Sequence, residues 1–563
     1  MRYETAGAAH GTLEIPLVKT TTPRQQSHLV RFRSPAAVGS STHTVMLPRT
    51  DIEALLDAQR RDDHAPESAP TRWPAWRSRL PLACVLLAQA VLALRLSNTA
   101  FIDEAAYLYA GHRQLAEAFG NAVNHDDYGK YFSGAPFLYP VVAALADAIG
   151  GLAAARLLSV AFMLGATCFL YAATRRLLDL KAAIFAAGVF ALSGPALFMS
   201  HLATFDAPAV LLLACGLWLA VRSAERRALI LDLSVAAVAA IALKYASMVF
   251  VVPIMAVAVL VVVPMVGWRS ALARGFVLAT VIGVLAAAAA LLAGPDVLEG
   301  LLITTTARPA DQVPLTQIAQ RSALYVGPVF AMACLGTLVY AGAGRSSAIR
   351  SGWVRLLLGG VLTASALIAP LASARLHTLT SLNKHAGYGL LLAAPMAGLL
   401  LSRLAGRSAV RTCLAGMLAA AIGVSGAVQA RDMFADWPNS RQLVATLDRL
   451  ITDGNQLILA EEAQLPRYYL RSRVNQTQWT DTYKLVYTDV TGKTLTRDAA
   501  YQAAVAERRF ALVVLSFNAT PQLSSQLVDV LQRSGYRQVA DIPGAARSGV
   551  THYQIWQHPR AGR

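Results

Sequence analysis

The sequence has little charge and little cysteine, and both shortages exclude classes of protein. Only 15 % of its 563 residues are charged and 55 % are hydrophobic, a balance that excludes a typical soluble domain. The five cysteines lie far apart, inside or beside apolar runs, without CxxC or Cys/His spacing. Neither a disulfide framework nor a structural zinc site is therefore expected. No cleavable signal peptide is expected either, because the N-terminus is polar.

A net charge of +17 would suit a nucleic-acid partner, but the distribution of the basic residues argues against one. The arginines cluster between apolar runs of about 16–22 residues, each near the length that crosses a ~30 Å hydrocarbon core. These features predict a polytopic α-helical membrane protein with about eleven transmembrane helices. The apolar runs are residues 80–97, 153–173, 182–200, 207–221, 230–244, 247–266, 276–293, 323–343, 355–373, 387–402 and 412–429.

The arginine clusters also predict the orientation of the chain, because Lys- and Arg-rich loops stay in the cytoplasm. They recur in alternate loops, which predicts a multi-pass protein of the cell inner (cytoplasmic) membrane with its N-terminus in the cytoplasm and its C-terminus outside. Residues 1–72 are predicted as a mostly disordered cytoplasmic tail with a short helix at 50–61. Residues 73–430 form the predicted membrane domain, with a first external loop at 98–152. Strand-like and helix-like runs alternate in 431–563, predicted as a small extracytoplasmic α/β domain.

An adjacent acid pair, Asp103 and Glu104, follows the first apolar run. Neighbouring residues on a helix do not face each other, so one carboxylate is expected to act as a base while the other holds a hydroxyl or fixes the geometry. An acid pair that complements a helix macrodipole explains the same residues equally well. Asp206, before Pro208, fits an N-cap, yet acids at membrane depth are often functional. All three acids are candidate catalytic residues.

Basic and aromatic residues on the same predicted face form a candidate substrate-binding set. Tyrosines suit a membrane interface and lysines there can hold a lipid phosphate, although a solvated loop with snorkelling side chains explains the same residues. Histidine and aspartate in residues 124–127 also allow a metal, but without a diagnostic spacing. The candidates are His125, Tyr128, Lys130, Lys244, Lys384, His385 and Tyr388, with Arg308, Arg321 and Arg375 as weaker ones.

The ordered motifs of residues 80–400 resemble the GT-C superfamily of membrane glycosyltransferases. They are the acid pair, "GAPFLYP" at 134–140, the acid before Pro208, "ALKY" at 242–245 and "NKHAGY" at 383–388. The resemblance is to the protein O-mannosyltransferase and aminoarabinose transferase type (glycosyltransferase family 39-like). It implies the GT-C fold and the transfer of a sugar from a polyprenyl-phosphate donor to an extracytoplasmic acceptor.

The resemblance also implies roles for individual residues. Asp103 matches the catalytic base, Glu104 its companion and Asp206 the second acidic position. Lys130 falls roughly where relatives carry a basic residue that holds the carrier phosphate. With Asp103 taking the acceptor proton, direct displacement would invert the sugar, and the lysines would stabilise the leaving phosphate.

Several choices stay open at the level of sequence. The acceptor is a lipid, a glycan or a protein, membrane lipids surround the chain, and the sugar itself is not specified. No cofactor is required, and a divalent metal is left open. The alternative functions are a polytopic transporter or flippase of lipid-linked sugars and a polymerase or ligase that acts on lipid-linked oligosaccharides.

Overall fold

The computed structural model describes residues 27–32, 43–48, 75–120, 123–308, 310–343, 349, 351–406, 408–452, 455–546 and 549–559. The chain divides into two units at residues 80 and 81. In the first unit, strands β1 (Ser27–Phe32) and β2 (His43–Pro48) pair antiparallel, a pairing that the predicted disordered tail did not include. The helix predicted at 50–61 lies outside the described residues.

Helices dominate the chain between residues 75 and 434. Because their apolar faces are continuous over several turns, they pack against one another or face lipid. In chain order they are α1 (Ala75–Leu94), α2 (Ile102–Ala118), α3 (Tyr139–Leu177), α4 (Leu180–Ala191), α5 (Gly194–Ser200), α6 (Asp206–Arg222), α7 (Leu229–Leu243), α8 (Ser247–Leu260), α9 (Val263–Ala293), α10 (Pro295–Thr304), α11 (Leu315–Gly342), α12 (Gly352–Ala364), α13 (Ile368–Arg375), α14 (Leu382–Leu404) and α15 (Ala409–Phe434).

The described helices include six segments that are long and apolar enough to cross a membrane, or seven if the bent pair α4 and α5 forms one span. The six are α3, α9, α11, α12 with α13, α14 and α15. The predicted count of eleven is not confirmed, because other apolar runs form shorter helices such as α7 and α8. A helix of 15 residues is only about 22 Å long, less than a hydrocarbon core of ~30 Å. Helix α14 is mostly buried, whereas α9 is mostly exposed.

The predicted first external loop, residues 98–152, contains α2 and the first turns of α3. Helix α3 is broken at Gly150 and Gly151, where Gly151 has a φ of 64° that glycine adopts without strain. Before this break, α3 lies directly on α2: a Cβ at Gly111 would be 2.0 Å from the carbonyl oxygen of Pro140. The break therefore separates a segment that supports α2 from the long apolar span after it.

The C-terminal residues form the expected α/β arrangement. The main sheet has five strands in the order β4-β3-β7-β9-β8, with β3 parallel to β4 and β7, and β9 antiparallel to β7 and β8. Every residue of β3 and β7 is buried, as in strands covered on both faces. The strands are β3 (Ile458–Ala460), β4 (Trp479–Thr480), β5 (Val486–Thr488), β6 (Thr494–Thr496), β7 (Leu512–Leu515), β8 (Arg537–Ala546) and β9 (Gly549–Gln557), and the helices are α16 (Arg441–Leu450), α17 (Gln464–Tyr469), α18 (Arg497–Ala506) and α19 (Pro521–Arg533).

A short segment before α2, residues 98–100, is hydrogen-bonded to the C-terminal part of the chain. Asn98 Nδ2 donates to the carbonyl of Trp437 at 3.0 Å, and the indole Nε1 of Trp437 donates to the carbonyl of Thr99 at 3.0 Å. The backbone N–H of Ala100 donates to the hydroxyl of Tyr469 at 2.8 Å. We refer to this set of contacts as the seam. It fixes the start of α2, where Asp103 lies, against the C-terminal domain.

Asp147 makes a second connection between α3 and the same domain. Its carboxylate accepts hydrogen bonds from Tyr468 at 2.5 Å and Arg471 at 3.0 Å, and contacts His112 of α2 at 2.6 Å. Three partners satisfy the lone pairs of a buried carboxylate that would otherwise be costly to bury. Helices α2, α3 and α17 are therefore held together at one place.

Candidate active site

Four charged side chains from distant parts of the chain meet where helices begin or end. Asp103 lies in the first turn of α2, Asp206 begins α6, Lys384 lies in the first turn of α14 and Lys244 follows α7. Lys384 Nζ is 2.7 Å from Asp103 Oδ2 and 3.7 Å from Asp206 Oδ2, and Lys244 Nζ is 3.9 Å from Asp206 Oδ1. A single lysine thus connects the two acids that sequence analysis singled out.

Asp103 is the accessible acid of this cluster. One third of its side chain is exposed, whereas Asp206 is fully buried. Both oxygens of Asp206 are occupied, because Thr204 donates to Oδ2 at 2.9 Å and Tyr388 donates to Oδ1 at 3.1 Å. Asp103 is thus partly exposed beside Lys384, while buried Asp206 lies within 4 Å of both lysines. Tyr388, predicted to bind substrate, contacts Asp206 instead.

Glu104, the predicted companion of Asp103, does not join the cluster. It is fully buried, and Arg156 donates to both of its oxygens, at 2.8 and 2.6 Å. The backbone N–H groups of Ala203 and Phe101 complete its hydrogen bonds at 2.7 and 2.8 Å. Four donors use its acceptor positions, so Glu104 anchors α2 to α3 rather than contacting substrate.

The motifs "GAPFLYP" and "ALKY" are hydrogen-bonded to each other. Ala135 N–H donates to the carbonyl of Ala242 at 2.8 Å, and Tyr245 N–H donates to the carbonyl of Ser133 at 3.0 Å. This pairing brings the Ser133 hydroxyl to 2.7 Å from Lys244 Nζ. A Cβ at residue 134 would lie 2.0 Å from the carbonyl oxygen of Leu243, so glycine is required there. The loop therefore positions Lys244.

Two cavities meet at Asp103. The first, of ≈ 560 Å³, is called here the cationic cavity; its acidic and basic lining residues are Asp103, Lys244, Arg308, Lys384, His385 and Asp436. The second, of ≈ 670 Å³, is called the aromatic cavity; its aromatic lining residues are Tyr107, Tyr109, Tyr128, Tyr131, Phe132, Trp479 and Tyr483. Ile102, Asp103, Tyr107 and Tyr131 line both. A group bound in either cavity reaches the same carboxylate.

The other predicted binding residues divide between these cavities. His385 lines the cationic cavity, and His125 and Tyr128 line the aromatic one. Arg308 was only a weak candidate in the sequence, because a single arginine beyond a short helix carries no spacing signal, yet it lines the cationic cavity. Arg321 and Arg375 are absent from the described linings of both cavities.

Lys130 is the candidate that the structure does not bring to the site. Its Nζ is 2.9 Å from Asp127 and 3.7 Å from Asp296, and the hydrogen bond to Asp127 raises the pKa of Lys130. It is absent from the described linings of both cavities. The phosphate contact at Lys130 stays a prediction, whereas Lys244, Lys384 and Arg308 are the lysines and arginine that line the cationic cavity.

The different surroundings of Lys130 and Lys244 predict a contrast between the two lysines. Lys130→Met is expected to leave the rate of sugar transfer within about twofold of the wild type, because exposed ion pairs contribute little. Lys244→Met is expected to lower it by about 10²-fold, the effect of removing one preorganised charged donor. Both variants are assayed in membranes at equal protein amounts. A large loss in Lys130→Met would restore its predicted role in binding the carrier phosphate.

The C-terminal domain supplies residues that sequence analysis did not single out. Arg467, Trp479, Tyr483 and Lys484 line the aromatic cavity. Arg467 NH2 donates to Asp126 at 2.7 Å, and burial raises the pKa of Tyr483 to about 12, so its hydroxyl stays neutral. More than 300 residues separate Arg467 from Asp126 along the chain, and no local pattern connects them. Among the described residues, no group of three or more His, Cys, Asp or Glu side chains could hold a metal ion.

Comparison with solved structures identifies the fold. The chain superposes on the oligosaccharyltransferase AglB from Archaeoglobus fulgidus, in complex with an inhibitory peptide and dolichol-phosphate, with a TM-score of 0.51, 14 % identity, and coverage of 85 % of this chain and 74 % of that one. An oligosaccharyltransferase from the same organism, tethered to an acceptor peptide, gives a TM-score of 0.50 at 13 % identity, with coverage of 85 % of this chain and 74 % of that one. ArnT from Cupriavidus metallidurans, bound to undecaprenyl phosphate, gives a TM-score of 0.41 at 15 % identity, with coverage of 85 % of this chain and 97 % of that one.

The superposition on AglB shows that this chain shares the fold of that oligosaccharyltransferase, in agreement with the fold expected from the sequence. No protein-family model and no curated protein matches the sequence.

Proposed function

We propose that this protein is a membrane glycosyltransferase that moves a sugar from a polyprenyl-phosphate carrier to a hydroxyl group of an extracytoplasmic acceptor. The observation that carries the proposal is the position of Asp103, the accessible acid, at the junction of the cationic and aromatic cavities. The shared fold supports it, because AglB has been solved with dolichol-phosphate and with an acceptor peptide.

The cationic cavity fits the carrier phosphate. Its lining contains three lysine and arginine side chains, Lys244, Arg308 and Lys384, against the two acids Asp103 and Asp436. Lysine and arginine bind phosphate oxygens through charge-assisted hydrogen bonds, and their effect is strongest where water is scarce. Since Lys244 and Lys384 are buried, they are held in place before a substrate arrives.

The reaction follows from this arrangement. Asp103 accepts the proton of the acceptor hydroxyl while its oxygen attacks the anomeric carbon of the sugar. The bond from that carbon to the phosphate oxygen breaks, and the cations stabilise the charge on the released polyprenyl phosphate. Attack opposite the leaving phosphate inverts the configuration. Lys384, 2.7 Å from Asp103, orients the carboxylate between the two substrates.

Arginines at the far ends of the helices support an extracytoplasmic site in a bacterial inner membrane. Helices α3, α6 and α14 begin near the cluster and carry Arg176, Arg222 and Arg403 in their last turns. Basic residues mark the cytoplasmic side, so the ends at the cluster face outward. The same argument gives the C-terminal domain, which contacts the start of α2, an extracytoplasmic location.

Asp103→Asn is expected to lower sugar transfer by about 10²–10⁴-fold, the usual contribution of a general base. Transfer from radiolabelled polyprenyl-phosphate sugars is measured in membranes, together with binding of the carrier. Binding should be retained, because the cations are unchanged. Glu117→Gln is the matched control: it alters an exposed acid on the same helix and should transfer normally. Unchanged transfer in Asp103→Asn would exclude Asp103 as the base.

The same assay separates the enzyme from a transporter or flippase. A flippase would move the carrier lipid across the membrane without breaking the bond between sugar and phosphate. Transporter charges commonly lie near the membrane midplane, whereas this cluster lies at helix ends. Wild-type protein that translocates the lipid but transfers no sugar would overturn the glycosyltransferase proposal.

A further inference from the structure

We propose that the aromatic cavity binds a neutral, hydroxyl-rich saccharide as the acceptor of the transferred sugar. The inference rests on the proposed function, because it assigns the second substrate of the same site. The cavity is built jointly by α2, the loop at residues 123–132 and residues 464–485 of the C-terminal domain. It opens on Asp103, so a hydroxyl of a molecule bound there can reach the base.

Three buried polar atoms in the cavity wall have no hydrogen-bond partner in the described chain. They are the donors Trp479 Nε1 and Arg467 Nε and the acceptor Gln464 Oε1, and all three residues line the cavity. Trp479 is 7 % exposed and Arg467 9 %. Buried polar groups are nearly always satisfied, and leaving them unpaired costs free energy. Small side-chain shifts toward a ligand would pair them, and a saccharide hydroxyl, which both donates and accepts, fits donors and an acceptor together.

The aromatic wall suits the other face of a sugar ring. Tyr109, Tyr128, Tyr131 and Tyr483 combine an apolar ring with a polar tip. Pyranose rings likewise present C–H groups on one face and hydroxyls at the edge, so they pack on such rings through weak C–H contacts. Arg467 is already fixed over the Tyr109 ring at 4.9 Å and bonded to Asp126. The wall is therefore ordered before the ligand binds, which lowers the entropic cost of binding.

Charge separates this acceptor from an anionic one. The aromatic cavity is lined by four carboxylates, Asp103, Asp126, Asp127 and Asp481, but by only two permanent cations, Arg467 and Lys484. A phosphorylated saccharide or an acidic lipid headgroup would be repelled there. Basic residues outnumber acidic ones in the cationic cavity, where we place the carrier phosphate. The charges around Asp103 therefore favour the carrier phosphate in the cationic cavity and a neutral acceptor in the aromatic cavity.

A peptide acceptor fits the cavity less well. Extended peptides commonly gain affinity by adding a strand to an exposed sheet edge. The edge at this cavity is β4, which has only two residues, Trp479 and Thr480. Such an edge offers very little backbone pairing, so recognition must come from side chains.

The test measures binding to purified full-length protein in nanodiscs. The probes are neutral oligosaccharides of two to four residues, the same oligosaccharides carrying a phosphate, and a Ser/Thr-containing peptide, followed by saturation-transfer NMR and titration. Undecaprenyl phosphate binding is measured separately. We expect the neutral oligosaccharides to bind and the phosphorylated ones to bind at least about tenfold more weakly.

Two variants connect the binding to this cavity. Trp479→Phe keeps an aromatic ring at this position but removes the unpaired N–H. It should raise the Kd of the saccharide about tenfold without changing undecaprenyl phosphate binding. Trp353→Phe is the control, because Trp353 is exposed on α12, and should change neither. Preferred binding of the peptide, or no saccharide binding while undecaprenyl phosphate still binds, would overturn the saccharide inference alone. Saccharide binding sensitive to Trp479 in a protein without transfer would support this inference and count against the proposed function.

Discussion

Arg156→Met is expected to lower the free energy of unfolding by about 3–5 kcal/mol, the cost of leaving a buried charge without its partner. The side chains of Arg156 and Glu104 are 5 % and 0 % exposed, so the variant leaves the Glu104 carboxylate buried without its charged partner. Arg156 also donates to the carbonyls of Asn98 and Thr99 at 2.9 and 3.2 Å. The variant therefore loses the Glu104 partner together with two hydrogen bonds to residues 98 and 99, which belong to the seam.

The measurement is unfolding of purified protein in mild detergent, together with the amount of protein that accumulates in membranes. Arg176→Met is the matched control on the same helix, because Arg176 pairs with Glu225 at the surface, where the expected loss is about 0–1 kcal/mol. Combining Arg156→Met with Glu104→Gln should recover part of the stability, since no unpaired charge remains. Equal losses in Arg156→Met and Arg176→Met would contradict the structural role of the pair.

Lys384→Met is expected to lower the rate of sugar transfer by about 10²–10³-fold, the effect of losing one preorganised charged donor. The side chain serves two purposes, because it orients Asp103 at 2.7 Å and lies 3.7 Å from Asp206. Without it, two carboxylates remain beside the position proposed for the carrier phosphate. Binding of the carrier should therefore weaken as well, through repulsion of like charges.

Steady-state transfer and carrier binding are measured for Lys384→Met beside two comparison proteins. Lys384→Arg keeps the positive charge and should recover part of the activity, although a guanidinium does not replace an ammonium without loss. Lys181→Met changes an exposed lysine at the start of α4 and should behave as the wild type. If Lys384→Met transfers sugar normally, the cluster is structural and the proposed phosphate site must lie elsewhere.

The helices and the meeting of distant charges could be predicted because they leave local signals. An apolar run has a helical period, and Asp103, Asp206, Lys244 and Lys384 each stand at the edge of one. The lengths of the helices were harder to predict, since the residue that ends a helix depends on distant contacts. An example is the loop at residues 133–135, which is hydrogen-bonded to the end of α7. The predicted eleven spans consequently exceed the six or seven that are long enough.

Which of the two adjacent acids, Asp103 or Glu104, is buried could not be predicted from helical spacing. Adjacent residues on a helix point about 100° apart, so one of them had to leave the site, but the choice depends on Arg156, 52 residues away. The same limit applies to Trp479 and Arg467. Their place in the aromatic cavity follows from long-range packing, for which a single sequence carries no periodic signal.

The seam has a consequence for anyone who exchanges or truncates the C-terminal domain. Because Trp437 and Tyr469 hydrogen-bond to residues 98–100, the domain helps to position Asp103. A protein cut at residue 435 would lose these bonds, and its inactivity would not by itself report a missing acceptor site. A chimaera that takes these C-terminal residues from a relative needs matching residues at 98–100, or Asp103 will be displaced.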